Sequence, residues 1–229
     1  MQICIIQSCY IPWKGFIDLI RQCDEYVIFD SVQYARRHWH NRNRIVTAHG
    51  VQWLTIPVVS KGRFDQSIAE VEVSEPWAEQ HWRSIALAYK RAPYFSELSP
   101  MVENWFKEAG QLPLLTEINE LFLRGICAHM GIKTKITRDT EYPANGRQTE
   151  RLLGITRAAG ADHYLSGPSA KDYLDESMFE AAGTKVTWMN YANYPEYKQL
   201  HGGFDPAVTI LDLMFNTGPD ALRYLNRQK

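Results

Sequence analysis

Several marks that would assign a chemistry at once are missing from this chain. Its 229 residues hold four cysteines, Cys4, Cys9, Cys23 and Cys127, and no CxxC pair, so the pattern argues against a thiolate metal cluster or a disulfide framework and for reduced thiols. No glycine-rich loop of the Walker or dinucleotide type occurs, which removes the commonest backbone cradles for phosphate. The longest apolar runs fall far short of a membrane span, and the MQICIIQSCY start has neither a basic region nor a small-residue cleavage site. These features predict a cytoplasmic protein without membrane insertion. A formal net charge of -1 supplies no global field for duplex nucleic acid or an anionic bilayer, which disfavours a nucleic-acid partner and favours a small one. Internal repeats and low-complexity segments are also missing.

What is present is enough apolar residue, 45% of the chain, to bury one substantial core, and residues 1–229 are read as one domain with a helical subregion at about 77–130. The run ICII, the loop SCYIPWKG, the striped FIDLIRQC and the run EYVIFD make strand, loop, helix and strand within about thirty residues, the length of a βαβ unit. Further strands are predicted in VQWLTIPV, SIAEVEVS, 133–137, ADHYLSG and KVTWMNY. Helices are predicted over 77–98 as far as Pro93, then 101–108, 113–130, 149–159, LDESMFEAAG and TILDLMF. The fold class is therefore α/β: a mainly parallel sheet with a Rossmann-like start and a helical segment packed on or inserted into it. Ligands of such sheets bind at the carboxyl ends of the strands, which places residues 7–15 and 30–33 at the crevice.

The densest polar chemistry follows the second strand. RRHWHNRNR sets Arg36, Arg37, Arg42 and Arg44 among Trp39, Asn41 and Asn43, a supply of guanidinium forks, amides and an aromatic face suited to an anionic, flat ligand. If the segment is extended, Arg37, Trp39, Asn41 and Asn43 share one face, and Arg36, His38, His40, Arg42 and Arg44 the other. Gln7, Tyr10, Trp13 and Lys14 surround the first strand-to-helix turn, where Lys14 and helical N–H groups suit phosphate and the rings suit stacking. Asp30 and Gln33 flank the crevice at the second strand. Tyr164, Ser166, Gly167 and Lys171, with Ser169 and Tyr173 beside them, approach from a later strand end, although a plain N-cap explains Ser169 equally well. Asp212, inside an apolar helix, is a candidate partner for an arginine of the cluster.

Catalytic candidates are Cys9, Lys14, His38 and His40. Cys9 and Lys14 adjoin a helix N-terminus that would favour a thiolate, and either imidazole suits a general base near neutral pH. The catalytic role stays open among the four. His38 and His40 have the spacing of paired metal ligands but lack a third ligand at short range, so no metal is assigned and the cofactor is left undefined.

The stretches IQSCYIPWKGFIDLI, FDSVQYARRHWHNRNRI with the following WLTIPV, HYLSGPSAKDYL and FDPAVTILDLMFNTG, in this order, resemble the WbqC-like family of bacterial surface-polysaccharide gene clusters. A looser, fold-level resemblance links the first βαβ unit to nucleotidylyl-transferase-like proteins of the pantothenate synthetase type, whose paired-histidine loop is replaced here by YIPWKG. The family resemblance implies O-antigen or related biosynthesis. The expected activity is that of a transferase or ligase, group-transferring or amide-forming, acting on a nucleotide-activated amino sugar or similar anionic small molecule. A non-catalytic module binding a nucleotide-like ligand, and an RNA-binding protein, are the alternatives, and assembly with further copies of the chain stays open.

Overall fold

The runs ICII and YVI are apolar throughout because they form interior strands of a parallel sheet that is covered on both faces. The computed structural model describes residues 1–225. Five parallel strands, β1 Gln2–Ile6, β2 Glu25–Ile28, β5 Lys135–Arg138, β6 His163–Ser166 and β7 Lys185–Trp188, lie in the order β5-β2-β1-β6-β7. An antiparallel hairpin of β3 Arg42–Thr47 and β4 Gly50–Thr55 stands apart as a two-stranded sheet. Helices are α1 Lys14–Arg21, α2 Ala78–Tyr89, α3 Phe95–Ala109, α4 Leu115–His129, α5 Gln148–Ala158, α6 Glu176–Ala181 and α7 Ile210–Thr217.

Alternation along the strands sorts two cores. Cys4, Tyr26, Ile28 and Leu165 face the cluster that contains Ile17 and Leu19 of α1, Ile118 and Phe122 of α4, and Leu211 and Phe215 of α7. Ile3, Ile5, Val27, Phe29 and Tyr164 face Leu152 and Ile155 of α5 and Phe179 of α6. Each fully buried Ile, Leu or Phe in these layers contributes about 1.5–3 kcal/mol. Numbered by their own sequence, the five parallel strands run 3-2-1-4-5, and the direction of winding reverses between β1 and β6. In such a sheet ligands bind at the carboxyl ends of the strands beside that reversal, and the loop after Ile6 is the one that lines a cavity there.

Three expectations about elements need correction. SIAEVEVS is a short 3₁₀ turn, Ile68–Glu70, followed by isolated bridges at Glu72 and Val73, because Ser67 and Glu70 close a capping box that competes with a ladder. The helix expected over 101–108 starts six residues earlier at Phe95 and runs through Pro100; that proline costs one intrahelical bond, which burial of Leu98, Val102, Trp105 and Phe106 outweighs. The segment from Arg36 to Arg44 is extended only from Arg42 onward. Upstream it is a chain of turns with Arg37 at φ 58°, so the two-face alternation does not reach His38 or Trp39.

Candidate functional site

A cavity of about 380 Å³ opens at the end of β1. Gln7, Cys9, Pro12 and Trp13 of the following loop, with Ile6 and Phe16 beside them, form one wall; His38, Trp39, His40 and Asn43 form another, and Ala207 closes the side. The loop is held open by the hairpin. Asn43 Nδ2 donates to the carbonyls of Tyr10 (3.1 Å) and Ile11 (2.8 Å), while its Oδ1 accepts from Arg44 N–H (2.8 Å). Tyr10 N–H donates to the Trp39 carbonyl at 3.0 Å. Ile11 sits at φ 39°, a left-handed conformation rare for a β-branched residue, and the two Asn43 bonds fix the carbonyls on either side of it.

His40 is the best-defined polar group in the wall. Its Nδ1 lies 2.9 Å from the Ser8 carbonyl oxygen. A carbonyl only accepts, so Nδ1 carries the proton and Nε2 presents its lone pair. Burial holds His40 below the ordinary imidazole range; burial, then His40 and Arg42, do the same for His38. The two neutral rings lie 4.4 Å apart, centroid to centroid.

Ser8 is itself pinned from behind. Its N–H donates to Asp30 Oδ1 (2.8 Å) and its hydroxyl to Asp30 Oδ2 (2.7 Å), which also accepts from Thr116 Oγ1 (2.6 Å). Asn119 Nδ2 donates to Ser8 Oγ (2.8 Å) and to the His40 carbonyl (3.0 Å). Burial raises the Asp30 carboxyl, and its three hydrogen bonds oppose that rise. A buried chain therefore runs from α4 through Asp30 and Ser8 to the imidazole.

The arginines stand outside the cavity. Trp39, in the wall yet 39% exposed, lies 5.4 Å from Trp53 of β4, and the Arg42 guanidinium covers Trp53 at 4.4 Å. Arg42 Nη2 also donates to the Arg37 carbonyl. Arg36 donates to the Ser60 carbonyl and lies over Phe64, and Arg44 is tied to Asp205 and the Ala207 carbonyl.

A family model described as the WbqC-like protein family matches residues 7–224. The chain belongs to the WbqC-like protein family. It is 44% identical over 227 residues, 97% of this chain and 98% of the other, to an uncharacterized protein of Mycobacterium tuberculosis, Rv1507c. No solved structure matches it. No helix among the described residues is long and apolar enough to cross a membrane.

Of the residues singled out in this WbqC-like chain, Gln7, Cys9, Trp13, His38, Trp39, His40 and Asn43 share the cavity. Others have been given different work. Tyr10 is fully buried, its hydroxyl 2.8 Å from His81 Nδ1 and its ring edge-on to Trp77 and Phe122, so it offers no stacking face. Lys14 is buried too; its ammonium donates to the Pro195 carbonyl (2.9 Å) within a cage of Tyr194, Tyr197 and Phe204 rings 5.1–5.4 Å away. Burial lowers that ammonium to about 8. Burial, reinforced by Asp30, pushes the Cys9 thiol up to about 12, the reverse of the helix-activated thiolate expected.

Asn41 is buried and donates to the Ile56 carbonyl, and exposed Gln33 donates to the Phe64 carbonyl. Tyr164 and Ser166 are buried against the second core rather than open to the crevice, whereas Gly167 has the Tyr191 hydroxyl close to where a Cβ would stand. Exposed Lys171 lies over Trp188, and Tyr173 is half exposed. Asp212 accepts from Tyr89, Tyr197 and Gln199 (2.7–3.0 Å) and not from an arginine of the cluster. Sequence reading missed Ser8, Thr116 and Asn119. The signal was there for two of them, since Thr116 and Asn119 are polar residues on the apolar face of α4. Among the described residues no group of three or more His, Cys, Asp or Glu side chains could hold a metal ion.

Proposed function

We propose that this protein is a cytoplasmic group-transfer enzyme, a transferase or ligase, that forms an amide on a nucleotide-activated amino sugar or a similar anionic small molecule in surface-glycan biosynthesis. The observation that carries the reading is the fixed tautomer of His40: a neutral imidazole, oriented by a buried network, whose ring lines a cavity at the carboxyl end of β1 and whose Nε2 is left with a lone pair. In this reading Nε2 takes the proton from the attacking amine as the new C–N bond forms and returns it to the leaving group. The Arg42 guanidinium, one ring beyond the cavity wall, and Arg37, whose carbonyl it bonds, hold the anionic group of one of the two reactants, and Trp39 supplies a face for a flat group. Membership of the WbqC-like family supports the biosynthetic setting.

The test is a panel of nucleotide-activated amino sugars incubated in pairs with acyl donors and read by mass. The unaltered protein is expected to give an acylated product. H40Q should lower the rate by 10²–10⁴-fold with binding retained. No product and no thermal stabilisation from any member of the panel would sink the reading. A second reading, a module that binds the same ligands without turnover, is favoured by the protonated state of Cys9, which leaves the cavity without a thiolate nucleophile. Stabilisation by ligand with no product from any pair would select it.

A further inference from the structure

The cavity wall carries no formal charge. Its eleven residues are Ile6, Pro12, Trp13, Phe16, Trp39 and Ala207, which are apolar or aromatic, and Gln7, Cys9, His38, His40 and Asn43, none of them Lys, Arg, Asp or Glu. Much of its polar capacity is already spent. Asn43 uses both Nδ2 contacts and its Oδ1 on backbone groups, and His40 uses Nδ1 on Ser8. The Gln7 amide, the His38 ring, His40 Nε2 and the indole N–H groups of Trp13 and Trp39 are the side-chain groups left to meet a polar ligand atom, fewer than the hydroxyls of a sugar ring with its carrier would need. A sugar ring carries a hydroxyl on most of its carbons, and each one buried without a partner loses its hydration uncompensated. An alkyl group gains from the same burial. The charges, meanwhile, are segregated: the Arg42 guanidinium lies on Trp53, beyond Trp39, with Arg37 bonded to it through the main chain.

We infer that the cavity holds the apolar acyl group of the donor, that Arg37 and Arg42 outside it hold the phosphate-bearing carrier of an acyl thioester, and that the sugar amine approaches from the rim. Identification of the apolar group as acyl rests on the transfer reading above. In the step that follows, the amine nitrogen attacks the thioester carbonyl, the C–N bond forms and the C–S bond breaks. The amine proton passes to His40 Nε2 and from there to the departing thiolate.

Titration calorimetry of the unaltered protein with coenzyme A and its acetyl, butyryl and hexanoyl thioesters tests the placement. Affinity is expected to rise about fourfold per added methylene until the cavity is full. R42A should weaken every member by a similar factor and leave that rise intact. A207F, which fills the side of the cavity, should abolish the gain from butyryl to hexanoyl; the series on the unaltered protein carries the test should that variant fail to fold. Equal affinity for coenzyme A and its hexanoyl thioester overturns the inference, and so does failure of the whole series to bind. A flat series from a protein that still gives acylated product in the mass assay sinks this placement alone. A steep series with no product sinks the transfer reading alone.

Discussion

At the scale of single residues, the site depends on a carboxyl that never touches the cavity. Asp30 ties Ser8 by both its N–H and its hydroxyl, Ser8 presents the carbonyl that fixes the His40 tautomer, and Asn119 joins the two from α4. Each donor in this set is buried, so a broken bond cannot be replaced by water. In D30N one acceptor oxygen becomes an NH₂ group facing the Ser8 and Thr116 hydroxyls, and the Ser8 hydroxyl already accepts from Asn119. The substitution should destabilise the protein by about 1–3 kcal/mol in urea unfolding. It should also move the His40 ring nitrogen resonances away from the Nδ1–H pattern. Unchanged stability together with unchanged resonances would show that Ser8 holds its carbonyl in place without the carboxyl. His40 was visible in the sequence as one of two histidines in a basic cluster, but its role is set by Ser8, thirty-two residues away, and no local pattern reveals that hydrogen bond.

Among the elements, the parallel sheet was legible and its companion hairpin was only half so. Short runs such as ICII and EYVI must be buried on both faces, and the apolar stripe of FIDLI between them fixes a parallel βαβ pairing. VQWLTIPV also reads as a strand, yet it joins β3 alone, with most of β4 exposed. Its partner begins inside the arginine cluster, and a composition dense in Arg and Asn reads as a ligand patch before it reads as a strand. Asn43 shows the consequence: chosen for contacts to substrate, it instead clamps the loop that shapes the cavity. The apolar part of the wall, Ile6, Pro12, Phe16 and Ala207, was not legible, because such residues are indistinguishable in sequence from ordinary core. Gly15 is the exception, since its lack of a side chain is required by the site. A Cβ there would stand 2.4 Å from the Trp13 ring, which lines the cavity. G15A is therefore expected to cost about 1–3 kcal/mol by overpacking, although alanine is the better helix former. It should displace Trp13 as well, measurable as a shifted tryptophan emission and weakened ligand binding. Stabilisation by G15A would mean that Trp13 has room to move.

For the whole molecule, the question is what joins the sheet, the hairpin and the helical block of α2 to α4. His81 on α2 is a meeting point of all three: the Tyr10 hydroxyl of the loop after β1 lies 2.8 Å from its Nδ1, the Thr55 backbone at the end of β4 hydrogen-bonds the ring, and Trp77 packs edge-on against it. Burial lowers His81 to about 4, with the Thr55 bond opposing, so the folded protein keeps the ring neutral where an unfolded chain would protonate it. The sign follows from proton counts. Above the unfolded value of about 6.5 neither state binds the proton, and this residue adds no pH dependence. Between about 6.5 and 4 the unfolded state binds it and the folded state does not, so stability falls as the pH falls, by roughly 1.4 kcal/mol per unit and about 3 kcal/mol in all. Burial lowers His38 and His40 as well, which adds loss of the same sign. Urea unfolding of the native protein and of H81Q at pH 7 and pH 5 separates the His81 share, since carboxylates and the other histidines titrate in both. H81Q is expected to start less stable at pH 7 and to lose less on acidification, so that the two curves converge. Parallel curves would mean that His81 protonates in place and that the junction tolerates a charge.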